Sequence, residues 1–346
     1  MQNKIAIVVT SVSEPNQVLK AIASGATEHG YEFIVVGDTK SPGQFSLAGC
    51  TYYDVAAQLK TGLVFAAECP TRHYSRKNIG YLLAIRDGAD VIIETDDDNM
   101  PRTSFFLPRA RQCAAHSLSN GQWVNVYRYF CDSLIWPRGL PLNAVHGPLP
   151  ALDAELLTNV DCPIQQGLAD GNPDVDAIYR LLLPLPQSFR RESAVALGKN
   201  SWCPFNSQNT TWWVDAFPLL YLPSFCSFRM TDIWRSFVAQ RIAWEAGWHI
   251  LFHEATVWQE RNEHDLMNDF IEEISGYTHN ARIAETLTSL PLKQGREHIS
   301  DNMRTCYQAL VDIAVVAPEE LGLLDAWLTD LENIGWSERN CRPGVS

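Results

Sequence analysis

Short apolar runs alternate with helix-like segments over the first hundred residues, and this alternation constrains the fold more than any other feature. Residues 4–10, 32–36 and 90–95 are rich in Val and Ile and are bounded by polar residues, as strands buried on both faces are. Helical patterns at 17–29 and 76–87 lie between them. This order predicts an α/β fold with a mostly parallel central sheet flanked by helices.

The middle of the chain is less regular. Residues 53–59 predict a short helix and 63–66 a short strand. Residues 101–230 are rich in Pro and aromatic side chains, and they predict loops, short strands and an irregular extension of the sheet. A strong amphipathic helix is predicted at 232–247, with Thr231 as its N-cap.

Helical patterns return in the last part of the chain, after a strand predicted at 248–255. We therefore expect a sheet-containing domain at 1–264 and a C-terminal helical region at 265–346. The predicted helices of that region lie at 266–277, 280–287, 299–317 and 320–332.

Charge and cysteine content narrow the function classes. Lys plus Arg number 27 and Asp plus Glu 40, which gives a formal net charge of −13 and argues against a nucleic-acid partner. The nine Cys include no Cys-x-x-Cys pair, so we expect reduced thiols and a cytoplasmic protein. No stretch of 18 apolar residues predicts a transmembrane segment, which leaves only peripheral association with a membrane.

Polar clusters follow three of the predicted strands at the point where each strand ends. They are Thr10-Ser11, Gly37-Asp38-Thr39 and the run 96–99. In open parallel sheets, ligands bind outside the carboxyl ends of the strands. Topology alone therefore predicts that these clusters converge on one ligand site.

Asp96, Asp97 and Asp98 are the sharpest chemical feature. Three adjacent carboxylates repel one another unless a cation binds, and hard oxygen ligands suit Mg²⁺ or Mn²⁺ shared with substrate phosphates. If the strand continued, Asp96 and Asp98 would face one way and Asp97 the other. The alternative is an acidic turn exposed to solvent.

A basic cluster starts the helix predicted at 76–87. A helix N-terminus with cationic side chains is a natural anion site, and here it could hold a diphosphate opposite the Asp run. The alternative is an ordinary solvated helix start. The cluster consists of Arg72, His73, Arg76, Lys77 and Asn78.

Two further acidic positions are candidates. Asp232, with Arg235 one turn later, is predicted as a general base or as an anchor for an acceptor hydroxyl, the alternative being a helix cap. Asp174 lies in the polar turn 170–176, which predicts either a capping turn or a second site for acceptor or sugar hydroxyls.

Histidine and aromatic residues complete the candidates. His249, His253 and His264 could add an imidazole to a carboxylate metal site, and His264 is favoured because its surroundings are polar. The alternative is a structural role for each. Trp212 and Trp213 belong to a dense aromatic stretch at 202–228 that predicts either a platform for sugar rings or core packing.

Several stretches resemble the STELLO-type glycosyltransferases, the family of domain of unknown function 288, over roughly residues 4–269. A more distant similarity links the chain to the reversibly glycosylated polypeptides, some of which are nucleotide-sugar mutases. The stretches are IETDDDN-x-P at 93–101, WPRGLPL at 136–142, DGNPDVDAIYRL at 170–181 and DIWRSFVAQRI-x-WE at 232–245.

This resemblance implies a Rossmann-like GT-A fold and a metal-dependent glycosyltransferase. The donor would be a nucleotide-diphosphate sugar, often uridine-linked, the cofactor Mn²⁺ or Mg²⁺, and the acceptor a glycan or another hydroxyl. The alternatives are a nucleotide-sugar mutase with the same donor site, and a catalytically silent nucleotide-sugar-binding partner.

The resemblance also suggests individual roles. Asp38 matches the acid that contacts base or ribose, and Asp232 matches the base of inverting members. The full prediction is Thr10, Ser11, Asp38, Arg72, Arg76, Lys77, Asn78, Asp96 and Asp97 for the donor; Asp174, Trp212 and Trp213 for acceptor or sugar; Asp96, Asp98 and His264 for the metal; and Asp232 with Arg235 for catalysis.

Overall fold

The apolar runs form strands and the helix-like segments form helices in the computed structural model, which describes residues 3–119, 121–153, 156–259 and 265–336. The strands are β1 Ile5–Thr10, β2 Glu32–Val36, β3 Thr51–Tyr53, β4 Val91–Thr95, β5 Asn99–Pro101, β6 Gln112–Leu118, β7 Thr158–Asp161, β8 Ile164–Gly171, β9 Val195–Leu197, β10 Asn209–Trp213 and β11 Ile250–Gln259. The helices are α1 Gln17–His29, α2 Val55–Lys60, α3 Val64–Glu68, α4 Lys77–Arg86, α5 Tyr127–Phe130, α6 Ala177–Leu182, α7 Thr231–Glu245, α8 Leu266–Ser289, α9 Ile299–Asp312 and α10 Glu320–Asn333.

The strands form one large central sheet, which confirms the predicted α/β class. Its order is β3-β2-β1-β4-β10-β8-β11-β9-β6-β7, with β5 paired to β11. The first four strands in this order are parallel, whereas β10 runs antiparallel to both of its neighbours and the far half is mixed. The far half contains two parallel pairs, β8–β11 and β6–β9, each beside antiparallel neighbours.

Helix α4 packs closely against the parallel strands. A Cβ atom built on Gly80 would lie 2.6 Å from a methyl carbon of Val8 and 2.8 Å from one of Val36, so only glycine permits this approach. On the opposite face, α1 and the 3₁₀ turn Thr103–Phe106 cover the sheet. The close packing fixes the N-terminus of α4 beside the carboxyl ends of β1 and β4.

Helix α7 is buried on every side, so the prediction of an amphipathic helix is wrong. All of its residues except Glu245 are buried. The C-terminal helices cover the face that the pattern assigned to solvent, and Trp234 Nε1 donates to Asn280 Oδ1 of α8 at 2.8 Å. The N-cap is Met230 rather than Thr231, and no side chain caps this end.

The C-terminal helices pack into the same core as the sheet. Trp327 of α10 is fully buried in the cluster that contains α4. The Asp330 carboxylate accepts from the backbone N–H groups of Val64 and Phe65 at 2.9 and 2.8 Å. This long-range contact supplies acceptors for the first turn of α3, where the sequence pattern predicted a strand instead. Helix α8 is one continuous helix rather than the two predicted.

The four described ranges contain ten α-helices, the longest of which is α8 with 24 residues. There, no helix combines the length and the apolar character that crossing a bilayer requires.

Candidate functional site

A cavity of about 480 Å³ opens at the carboxyl ends of β1, β2 and β4. It is lined by acidic and basic side chains together with a few polar and aromatic ones. The lining residues are Thr10, Ser11, Val12, Val36, Gly37, Asp38, Lys40, Arg72, His73, Tyr74, Arg76, Asp96, Asp97, Asp98, Arg138, Asp174, Arg180, Gln208, Phe228, Arg229, Asp232 and Gln259.

The three strand-end clusters meet in this cavity, as the topology predicts. Ser11 Oγ donates to Asp97 Oδ2 at 2.5 Å, which joins the end of β1 to the end of β4. Asp38, after β2, accepts from the backbone N–H of His73 at 3.0 Å. Arg72 also lines the cavity, and its backbone has a φ of 59° in the left-handed region.

The Asp run occupies a turn between β4 and β5, so the expected strand alternation does not apply. The three carboxylates diverge to different partners. Asp96 Oδ1 accepts from Lys77 Nζ at 2.9 Å and from the Tyr74 hydroxyl at 2.6 Å. Asp97 accepts from Ser11, as above. Asp98 Oδ2 accepts from Gln259 Nε2 at 2.8 Å.

The second oxygen of Asp98 is buried and has no hydrogen-bond donor. Burial, and then the neighbouring Asp96 charge, raise the pKa of the Asp98 carboxyl to about 6. Burial also raises the pKa of Asp97, although the Ser11 hydrogen bond opposes this. An unpartnered carboxylate oxygen in a cavity is a fitting ligand for a hard divalent cation.

A metal held at Asp98 would need ligands beyond the protein. In the part of the chain that the structure describes, no group of three or more His, Cys, Asp or Glu side chains forms a metal cluster. Phosphate oxygens and water would have to complete the coordination sphere, as is usual for Mg²⁺. The predicted ligand His264 lies outside the described residues.

Three residues of the basic cluster, Arg72, His73 and Arg76, line the cavity. Lys77 and Asn78, which were also predicted to bind the donor, are absent from the lining and are bonded to other parts of the fold. Lys77 Nζ is buried against Asp96 and Thr95 O. Asn78 exchanges two hydrogen bonds with the Leu222 backbone, at 2.8 and 2.9 Å.

The other cationic side chains near the N-terminus of α4 and the cavity differ in how accessible they are. The Arg76 guanidinium reaches the cavity wall but binds Gln58 Oε1 and the Cys69 carbonyl. Arg72 and Lys40 are exposed at the cavity. The sequence pattern could not separate these groups, because it does not show which cations fold inward.

Asp232 and Asp174 face the cavity at its other end, and Arg138 holds both of them. Arg138 Nε and Nη2 donate to the two Asp174 oxygens at 2.8 Å each. Arg138 Nη2 also lies 3.0 Å from each Asp232 oxygen. Asp232 makes no helix cap, and Asp176, not Asp174, caps α6 through Tyr179 N at 2.7 Å.

Asp174 and Arg138 keep their charges. Burial raises the pKa of Asp174, but the Arg138 guanidinium outweighs it and leaves the Asp174 pKa below its ordinary value. For Arg138, burial opposes the charge, while Asp174 and Asp232 raise its pKa well above the ordinary range. Asp174 therefore remains a hydrogen-bond acceptor inside the cavity.

Arg235, Trp212 and Trp213 lie away from the cavity, contrary to the roles predicted for them. The Arg235 guanidinium is buried against Glu94, with nitrogen–oxygen distances of 2.9 and 2.8 Å. Trp212 Nε1 also donates to Glu94, at 2.8 Å. Trp213 packs into the core on the opposite face of the sheet. Burial of paired charges and rings explains all three positions.

Phe228 is the aromatic residue of the 202–228 stretch that lines the cavity. Its side chain is 48% exposed and its ring lies edge-on to His73, with centroids 5.6 Å apart. The other predicted histidines are absent from the cavity lining. Burial lowers the pKa of His253 well below its ordinary value and also lowers that of His249, so both fit structural roles.

Several side chains line the cavity without having been predicted as site residues. Arg138 and Arg180 lie inside the WPRGLPL and DGNPDVDAIYRL stretches, which carry the family resemblance. Tyr74 lies inside the basic cluster. Arg229 and Gln259 had no sequence signal, because their positions depend on contacts between distant segments.

Known proteins resemble this chain over most of its length. A family model of STELLO glycosyltransferases matches residues 229–340. The chain is 27% identical over 361 residues to the probable glycosyltransferase STELLO2 of Arabidopsis thaliana, and 27% identical over 354 residues to STELLO1 of the same plant. Each alignment covers 96% of this chain and 45% of the relative. The predicted resemblance is confirmed, and the chain spans less than half the length of these relatives.

A solved mycobacterial protein aligns with 90% of this chain and 74% of its own, at 10% identity and a TM-score of 0.39.

Proposed function

We propose that this chain is a glycosyltransferase that takes a sugar from a nucleotide-diphosphate donor, such as a UDP-sugar, and passes it to a hydroxyl acceptor. One observation carries the proposal: a single cavity holds the Asp run at the edge of the sheet and a second carboxylate pair, Asp174 and Asp232. The similarity to probable glycosyltransferases supports it.

The strand-end half of the cavity suits the nucleotide. The Asp38 carboxylate is a hydrogen-bond acceptor for ribose hydroxyls or a base N–H, and Thr10 and Ser11 offer hydroxyls beside it. Exposed Arg72 and Lys40 supply positive charge for a diphosphate. These contacts are made within the cavity by a single nucleotide. They are therefore compatible with the acidic net charge, which argues against a nucleic-acid partner.

Asp98, with Asp96 beside it, would hold the cation, since Asp98 has the buried oxygen without a donor. When bound, Mn²⁺ or Mg²⁺ would neutralise the negative charge that develops on the diphosphate leaving group. Lys77 already balances Asp96, so its fixed ion pair orients the run without a metal.

The Asp232 carboxylate is suited to receive the acceptor proton. It lies in the cavity, it is not used as a helix cap, and Arg138 and Ser207 fix its orientation. A positioned carboxylate within reach of a hydroxyl acts as a general base in an inverting transfer. In a retaining transfer the same contacts would orient the acceptor.

A thermal-shift screen of nucleotide sugars, with and without Mn²⁺, tests this proposal. A donor that binds only the native fold raises the melting temperature, and a ligand at one hundred times its Kd stabilises by about 2.7 kcal/mol. Asp98→Asn should lose the Mn²⁺-dependent part of the shift. Asp54→Asn, at an exposed helix cap outside the cavity, should keep it. The proposal is wrong if no nucleotide shifts the wild type under either condition.

A nucleotide-sugar mutase is the second candidate, and the buried positions of Trp212 and Trp213 favour it by removing the predicted acceptor platform. Incubation with a UDP-sugar alone distinguishes the two functions, because a mutase forms ring isomers of the donor without an acceptor.

The state of the cysteine side chains is relevant to the cellular compartment of the protein. All eight cysteines within the described ranges are free, which suits a reducing compartment such as the cytoplasm.

A further inference from the structure

Arg138 contacts two segments that are far apart in the sequence. Asp174 follows β8 and Asp232 lies in the first turn of α7, and one guanidinium reaches both carboxylates. A further nitrogen of Arg138 donates to the Arg229 carbonyl. The planar guanidinium therefore fixes the spacing and the orientation of the two acids.

Of the two carboxylates, Asp174 retains the greater capacity for a ligand, because four hydrogen bonds from Arg138 and Ser207 already reach Asp232. Their side chains are 12% and 11% exposed, and both line the cavity. An ionised carboxylate offers about four acceptor positions, and Arg138 occupies two of those on Asp174. The remaining positions accept hydrogen bonds and cannot donate them. Such a surface selects neutral donors, above all hydroxyl groups.

Hydrogen bonds define where this pair lies relative to the Asp run. The Tyr74 hydroxyl bonds to Asp96 at 2.6 Å and to Ser207 Oγ at 2.7 Å, and Ser207 Oγ donates to Asp232 at 3.3 Å. Ser11, at the end of β1, contacts the run through Asp97 instead. A diphosphate at the run, with its nucleoside toward Asp38, would direct its sugar toward Asp174 and Asp232.

We propose that Arg138 is a positioning residue that holds Asp174 as the binding site for hydroxyls of the donor sugar, beside the base Asp232. This inference rests on the proposed glycosyltransferase function and adds a role for a residue outside the predicted set. It requires that Arg138 affect the affinity for the sugar and leave the affinity for the nucleotide unchanged.

Arg111 provides a matched control. It forms a fork with Asp161 at 2.6 and 2.9 Å and also pairs with Asp215, yet none of the three lines the cavity. Arg111→Lys removes the same kind of planar bridge as Arg138→Lys. Any general loss of stability should therefore occur in both variants.

The experiment measures Kd by titration calorimetry for uridine diphosphate, UDP-glucose, UDP-galactose and UDP-arabinose with Mn²⁺ present. In Arg138→Lys and Asp174→Asn, the sugar that binds best to the wild type should bind at least about ten-fold more weakly, while uridine diphosphate binds as before. Arg111→Lys should match the wild type for both. Asp174→Asn keeps the side-chain shape and serves if Arg138→Lys does not fold.

The other possible results of these Kd measurements would overturn either the inference or the proposed function. The inference is wrong if the ratio of the Kd for the sugar nucleotide to the Kd for uridine diphosphate is the same in the Arg138 and Asp174 variants as in the wild type. It is also wrong if Arg111→Lys loses as much affinity for the sugar nucleotide as those variants do. A wild type that binds uridine diphosphate and gains nothing from any sugar overturns the inference and leaves the donor site standing. A wild type that binds none of the four probes overturns the inference and the uridine-linked donor of the proposed function.

Discussion

Asp98 shows how one residue can reduce the stability of the unliganded fold. Its carboxylate is buried with one oxygen unpartnered, and burial raises its pKa to about 6, against about 3.9 in an unfolded chain. At pH 7 the group is ionised in both states, and the folded state bears the cost of that charge. A buried charge that destabilises the free protein is typical of a site where a bound ligand neutralises it.

Asp98→Asn should therefore stabilise the metal-free protein, by roughly 1–3 kcal/mol at pH 7. Because the folded pKa is raised, the wild type loses stability relative to the variant as the pH rises from about 4 to about 6. Above that range the difference stays constant. Urea unfolding at pH 4 and pH 7 without metal measures it, with Asp54→Asn as the control. A variant less stable than the wild type at pH 7 would contradict the prediction.

At the scale of elements, the close contact of α4 with the sheet sets the position of the site. Gly80 lets the helix approach Val8 and Val36, and the N-terminal residue Lys77 then reaches Asp96. Helix α7 is tied to β4 in a similar way by Arg235 and Glu94, which holds Asp232 at a fixed distance from the Asp run. These buried contacts support the site without entering it.

Gly80→Ala should destabilise the fold by roughly 1–3 kcal/mol, because the new methyl group overlaps two strand side chains. Gly322→Ala in the exposed face of α10 is the matched control, since nothing lies within 4 Å of its added Cβ. That variant should gain about 0.5–1 kcal/mol from helix propensity. Chemical denaturation of both variants checks the opposite signs. Equal effects would show that α4 can move away from the sheet freely.

For the whole molecule, the C-terminal helices stabilise segments that lie much earlier in the chain. Glu320 accepts from the backbone N–H groups of Ser224 and Phe225, at 2.9 and 2.6 Å. Asp330 does the same for Val64 and Phe65. These carboxylates satisfy backbone donors from segments more than 90 residues away, so α10 and the sheet support each other.

Asp330→Ala should lower the free energy of unfolding by roughly 1–3 kcal/mol, because two backbone donors at α3 lose their acceptor. Asp325→Ala on the same helix, where the carboxylate is exposed and pairs with Arg304, should change it by less than about 1 kcal/mol. Denaturant titrations compare the two. A loss in Asp325→Ala as large as that in Asp330→Ala would show that the α3 contact contributes little.

The hydrophobic pattern of the sequence was sufficient to predict those elements whose structure depends on residues close together in the chain. The bounds of α1 and β2 agree with the predicted 17–29 and 32–36, because burial imposes the periodicity of the element that forms. The convergence of Thr10, Asp38 and Asp96 at one edge followed from parallel topology. These features need only short-range rules and the order of elements.

The sequence by itself determined the α/β framework, the sheet edge that forms the cavity and the acidic chemistry at that edge. Tertiary structure decided which charges face the ligand. Arg235 pairs with Glu94 across 141 residues and becomes structural, whereas Arg138 pairs with Asp232 across 94 and lines the cavity. The physical reason is that a buried charge needs an opposite charge, and folding selects that partner from distant parts of the chain.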